Sequence, residues 1–279
     1  MSTFEFRNNI TMRNWIYLCL LSVFPIACSQ NALSGKKQFT LLPESELQGL
    51  ANSQYRQFLL GKRVIGTSTT ADASMVNRVA ERIVKAVNKL YAEKGLSDKL
   101  KGYDWEVNLV QDNQVNAWCM PGGKIVVYTG LLPITQNEDA LAAVMGHEVC
   151  HALLQHGNQR MSQALVQQLG GVALSVALSD KPQETRNLFL LAYGVGSQVG
   201  VMLPFSRSHE LDADRWGLIM AAKAGYDPRA AIGLWERMEK AGGGKAPEFL
   251  KTHPSEGKRI ERLQRIMPEA MEIYNQSKQ

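Results

Sequence analysis

Charge is sparse in this chain of 279 residues: only 20% are Asp, Glu, Lys or Arg, and the formal net charge is +5. The lysines and arginines are scattered, and no stripe of them alternates with aromatic residues, which sets nucleic acid aside as a partner. So mild a positive excess suits an anionic membrane surface or an acidic substrate. Long apolar runs are lacking too. The run from Trp15 to Ala27 falls short of the ~20 residues that cross a bilayer, and Asn187, Gln198 and glycines interrupt the apolar stretches at about 160–179 and 184–201. Cysteine is scarce: Cys19 and Cys28 belong to the N-terminal segment, so one pair remains, Cys119 and Cys150. That pair is either a disulfide of an oxidising compartment or two buried thiols. No internal repeat is present, and 45% hydrophobic residues suffice for one sizeable core.

What is present begins at the N-terminus. Arg7 and Arg13 precede the apolar run, which ends on Ile26-Ala27-Cys28. A basic start, a short apolar run and a small residue at its end predict an export signal over 1–27. Its last residues resemble the cleavage box of bacterial lipoproteins, with Cys28 as the lipidated residue, although Pro25 stands where leucine is usual. Ser29 resembles the outer-membrane sorting class, and a non-cleaved anchor is the alternative. Residues 28–42 then read as a polar tether, and 43–279 as the folded domain.

Within that domain, Val76, Val79, Ile83, Val87 and Leu90 recur at helical spacing and predict one apolar stripe over about 73–93. Trp105 to Leu109 alternates as a half-buried strand. Asn116 to Met120 and Lys124 to Tyr128 read as two more strands joined by Pro121-Gly122-Gly123. Short strands set among helices predict an α+β fold, mainly helical, with a small sheet of three or four strands. Thr135 and Glu138 suggest a capping box for a helix that runs through Leu141, Val144, His147, His151 and Leu154 and stops at Gly157.

That helix carries His147-Glu148-Val149-Cys150-His151. Residues four apart share a helix face, so both imidazoles can reach one zinc ion, with Glu148 placed to contact a water there. A catalytic zinc wants a third protein ligand, and Glu210 on a later helix is the candidate. Asp214, four residues on, can accept the remaining ring N–H of His147. His209 competes for the third position. His156, five residues past His151, would point ~140° away on a continuing helix and reads as a capping or core residue. Amide hydrolysis also needs a donor for the oxyanion. His253 is the candidate, as catalytic residue or merely as helix cap, and Arg207 is the second choice.

These residues resemble the M48 zinc peptidases, and within them the bacterial lipoprotein branch of LoiP and the protease part of BepA. The likeness is carried by Asn116-Ala117-Trp118, Pro121-Gly122-Gly123, Thr129-Gly130-Leu131-Leu132, the His147–His151 motif, Ser206-Arg207, Glu210-Leu211-Asp212-Ala213-Asp214, and Thr252-His253-Pro254-Ser255 before Arg259-Ile260. It implies a zincin-like domain and one zinc per chain on His147, His151 and Glu210. It further implies endopeptidase action on misfolded or membrane-associated polypeptides, with Asn116 to Trp118 as the strand edge to which substrate adds. It also implies a place in the bacterial envelope, lipid-anchored at the periplasmic face of the outer membrane, near its assembly machinery. A chaperone or assembly factor with little turnover, and a purely structural zinc protein, stand as the alternatives.

Overall fold

The computed structural model describes residues 28–67, 69–169, 182–193, 206–241, 247–253 and 258–279. The expected export signal lies outside them, as do residues 170–179 and 194–201 of the two expected apolar helices. Cys28 opens strand β1 (Cys28–Gln30), which pairs antiparallel with β2 (Lys37–Phe39). The stretch read as a tether is therefore a hairpin, and the reason is local. Asn31 Oδ1 accepts from the backbone N–H groups of Leu33 and Ser34, and Gly35 supplies a positive φ of 69°. The hairpin is fastened to the body by Asn31 Nδ2 donating to Leu153 O at 3.1 Å and Gln38 Nε2 donating to Gln155 Oε1 at 2.7 Å.

Helix α1 (Glu44–Leu60) and the short β3 (Val64–Ile65) follow, then α2 (Ala71–Glu93), capped by Thr70 Oγ1 accepting from Ala73 N. Its stripe Val76, Val79, Ile83, Val87 and Leu90 is buried. Strands β4 (Glu106–Val110), β5 (Ala117–Met120) and β6 (Lys124–Tyr128) join β3 in one sheet of order β3-β4-β6-β5. β4 and β6 run parallel, and the other pairs are antiparallel. Among the described residues β5 is thus an edge strand with one neighbour.

Helices cover both faces of this sheet, so β5 and β6 are buried along their whole length. Ala117, Cys119, Ile125 and Val127 face the larger core with α2 and α4 (Glu138–Leu153). Trp118, Met120, Val126 and Tyr128 face the smaller one with α1, α5 (His156–Leu169) and α6 (Pro182–Tyr193). Alternate residues of each strand therefore serve different cores.

Helix α4 is the central rod, buried on every side from Ala140 to Leu153. Its cap is Asn137, whose Oδ1 accepts from Ala140 N at 2.9 Å. The Thr135–Glu138 box does not form, because Thr135 ends the short α3 (Leu132–Thr135) and Gln136 turns left-handed. α4 ends before Gly157 as well: Gln155 takes a φ of 55°, and α5 starts anew at His156. α7 (Arg207–Lys223), capped by Ser206, crosses α4 where Gly146 meets Gly217 backbone to backbone. α8 (Ala230–Lys240), α9 (Glu248–Thr252) and α10 (Arg259–Ser277) close the core. Among the described residues no helix is long and apolar enough to cross a membrane.

Candidate metal centre

His147 and His151 stand on successive turns of α4 with their Nε2 atoms 3.0 Å apart. The Gly146–Gly217 crossing brings the first turn of α7 against them. Glu210 Oε2 lies 3.5 Å from His147 Nε2, and Glu210 Oε1 lies 3.4 Å from His151 Nε2. His253, just past α9, completes the group, with Nδ1 3.2 Å from His147 Nε2 and 3.1 Å from Glu210 Oε1. One donor atom from each of the four falls within 4.8 Å of all the others. Three imidazole nitrogens and a carboxylate oxygen thus converge at a buried point, where His147 is 2% and Glu210 4% exposed. Four donor atoms this close can share one divalent cation. Nitrogen donors with one carboxylate oxygen suit zinc. Among the described residues this is the single cluster of its kind, which gives one zinc site per chain.

The buried charges of the cluster balance one another. Burial opposes charge on Glu210, but the His253 charge and hydrogen bonds from His147 and His151 outweigh it and hold the carboxyl well below its ordinary range. Burial likewise opposes Asp214, and Arg259 with His147 overcomes it. Burial pulls His147 down, yet Asp214 and Glu210 raise it to about 9. For His151 burial wins, and its pKa falls well below 6.5. Glu148 differs from the other carboxylates. Burial raises its pKa, its Oε1 is buried without a hydrogen-bond partner, and that atom lies 3.5 Å from His253 Nε2.

Asp214 Oδ1 approaches His147 Nδ1 to 3.0 Å, although off the axis of a ring N–H bond. Both Asp214 oxygens are engaged by Arg259, through Nε at 2.9 and 3.1 Å and Nη2 at 2.7 Å, and Nη2 also donates to Glu210 Oε2 at 3.0 Å. The guanidinium lies 3.5 Å over the Trp235 ring. Spacing alone did not single out Arg259, which opens a helix of its own far along the chain. His156 is buried and outside the donor group, as expected of a core residue, but the turn at Gln155 points it towards His151 rather than away, with its Nδ1 3.0 Å from His151 Nδ1. His209 is buried, stacks on His156, and meets Gln159 Oε1 at 3.3 Å, away from the donor group.

A cleft opens beside the donors, bounded by Asn116, Ala117, Trp118 and Cys119 of the edge strand, by Glu148 and His151, and by Thr252 and His253. Its far wall is Arg160 and Tyr193, the latter packed so closely on Gly157 that a Cβ there would overlap the ring. Arg207 is exposed on the first turn of α7 and does not line the cleft. Cys119 and Cys150 are free buried thiols whose pKa values burial pushes up, so the disulfide reading gives way to the thiol one.

Residues 77–267 match the model of peptidase family M48. A mitochondrial metalloendopeptidase OMA1 of Schizosaccharomyces pombe is 35% identical over 85% of this chain and 66% of its own length. The bovine mitochondrial metalloendopeptidase OMA1 is 32% identical over 92% of this chain and 48% of its own. The chain therefore spans about half to two thirds of these relatives. The beta-barrel assembly-enhancing protease of Yersinia pestis is 30% identical over only 54% of the chain. This overturns the bacterial lipoprotein branch and, with it, the expected outer-membrane location: the relatives that match most of the chain are mitochondrial proteins. The expected location rests on residues 1–29, ahead of the matched range 77–267.

Proposed function

The chain belongs to peptidase family M48, and from that premise we propose that it is a zinc-dependent endopeptidase acting on extended, unfolded polypeptides. The observation that carries this reading is a buried carboxylate without a hydrogen-bond partner, Glu148 Oε1, beside a four-donor metal cluster and at the wall of a cleft. His147, His151 and Glu210 would hold the zinc ion, which when bound would supply Lewis acidity for the scissile carbonyl and acidify water. Glu148, with its pKa raised by burial, takes a proton from the attacking water and returns it to the leaving amine. Asp214 and Arg259 hold His147 and Glu210 in place through the contacts described above. His253 Nε2 lies 3.5 Å from Glu148 Oε1 at the cleft wall, and its role is to donate to the substrate oxygen as negative charge develops.

The substrate reading rests on β5. Among the described residues it pairs with β6 alone, and Ala117 to Cys119, with Asn116 just before the strand, line the cleft. A peptide added to that edge bonds through its backbone, so conformation rather than side-chain identity selects it.

His253 as a fourth donor favours a second reading, a closed structural zinc. A structural site gives Glu148 no task, and the two readings part on one variant. Incubated with unfolded casein, the wild-type protein should cleave it, and Glu148→Gln should keep its zinc and cleave nothing. Equal cleavage by both, or none by a zinc-loaded wild type, would overturn the endopeptidase reading.

A further inference from the structure

A histidine that binds metal through Nε2 must carry its proton on Nδ1, and the acceptor of that N–H sets the rotation of the ring and its basicity. For His151 the acceptor is another histidine. His156 Nδ1 lies 3.0 Å from His151 Nδ1 with good hydrogen-bond geometry, and His156 is 2% exposed. If His151 donates, His156 Nδ1 is the acceptor, and the His156 proton sits on Nε2. The His156 ring has little freedom to turn away. It lies flat on His209, with centroids 4.3 Å apart and planes inclined by 16°, and His209 is itself held against Gln159. The corner that presents it is pinned by the N-terminal hairpin, through Asn31 on Leu153 O and Gln38 on Gln155. On the other ligand the corresponding contact, Asp214 to His147 Nδ1, is off axis and shared with Arg259.

We propose that His156 is a positioning residue of the metal centre, accepting the Nδ1–H of His151 and fixing the tautomer that presents Nε2 to the ion. The proposal rests on the zinc-site reading above, and it extends the centre from α4 and α7 to the first residue of α5. It gives the left-handed turn at Gln155 a function: a straight continuation of α4 would carry residue 156 to another face.

The test uses the full chain and two readouts that do not depend on hydrolysis: zinc affinity by competition with a chromogenic chelator, and the visible spectrum of the cobalt-substituted protein. His156→Phe keeps an aromatic ring against His209 and removes the acceptor. His156→Asn places Oδ1 where Nδ1 stood. His156→Phe should weaken zinc binding by about 10–100-fold and alter the cobalt spectrum, and His156→Asn should restore most of both. A His156→Phe protein with wild-type affinity and spectrum would overturn the proposal. If His156→Phe does not fold, His156→Gln replaces it, because its amide falls near the Nε2 position. Equal affinities for the Gln and Asn variants would then overturn the proposal, and retention by Asn alone would support it. A wild type that binds no zinc would instead sink the metal-site reading itself.

Discussion

Gly217→Ala should damage both the stability and the metal centre of this protein, although residue 217 touches no ligand side chain. A Cβ on Gly217 would stand 2.7 Å from His147 N and 2.8 Å from His147 Cα. Both obstacles are backbone atoms of α4, so no flexible side chain can swing aside. Ordinary contact begins near 3.4 Å, and the two helices would have to part by about 0.7 Å. Overpacking of this kind costs ~1–3 kcal/mol, or a fall in Tm of roughly 2–5 °C for a chain of this size. Glu210 and Asp214 ride on the same helix as Gly217 and move with it. A misplacement near 1 Å in a reacting site can cost about a hundredfold in rate, and zinc affinity should fall at least tenfold. Scanning calorimetry and chelator competition read the two effects. Gly49→Ala is the control, since nothing lies within 4 Å of its Cβ on α1, and it should hold or raise the melting temperature. A Gly217→Ala protein that melts and binds zinc like the wild type would refute the claim that the backbone crossing sets the ligand geometry.

Other outcomes follow from the buried charges. Arg259→Met leaves Asp214 and Glu210 without their shared cation and should destabilise the fold by ~3–5 kcal/mol in denaturant titration, with Arg259→Lys milder. A loss below ~1 kcal/mol would deny Arg259 that part. Glu44 gives a pH dependence of opposite sign to the usual carboxylate. Both its oxygens are buried without partners, and burial raises its pKa from 4.5 to about 7. Between those values the folded protein keeps a proton that the unfolded chain has released, so stability falls as pH rises, by up to roughly 3 kcal/mol. Glu44→Gln should therefore gain melting temperature on the wild type at pH 8 and not at pH 4; a difference independent of pH would contradict this.

Much of the fold was legible because its elements obey simple periods. The stripe of α2, the strand pair around Pro121-Gly122-Gly123, and two histidines one helical turn apart all follow from local spacing. Glu210 and Asp214 were legible as a pair because they too sit four apart. What escaped depends on contacts between distant segments. Arg259 joins the centre only through tertiary packing, and no period marks it. Gln155 carries no sequence signal for a left-handed turn, unlike glycine or asparagine, so the helix was run past its true end and His156 was sent to the wrong face. The Thr135–Glu138 pair has the form of a capping box but lies two residues early, and Asn137 took the role instead. Residues 28–39 looked like a tether because they are polar, and polarity alone does not reveal that Asn31 builds its own turn and anchors the hairpin.

The central claim is that one turn of α4 and the first turn of α7 jointly hold a single zinc ion. Elemental mass spectrometry of purified wild-type and Glu210→Ala protein tests it most directly. The expected result is one zinc per wild-type chain and little or none in the variant. Full zinc occupancy in Glu210→Ala, or none in the wild type after zinc loading, would contradict it.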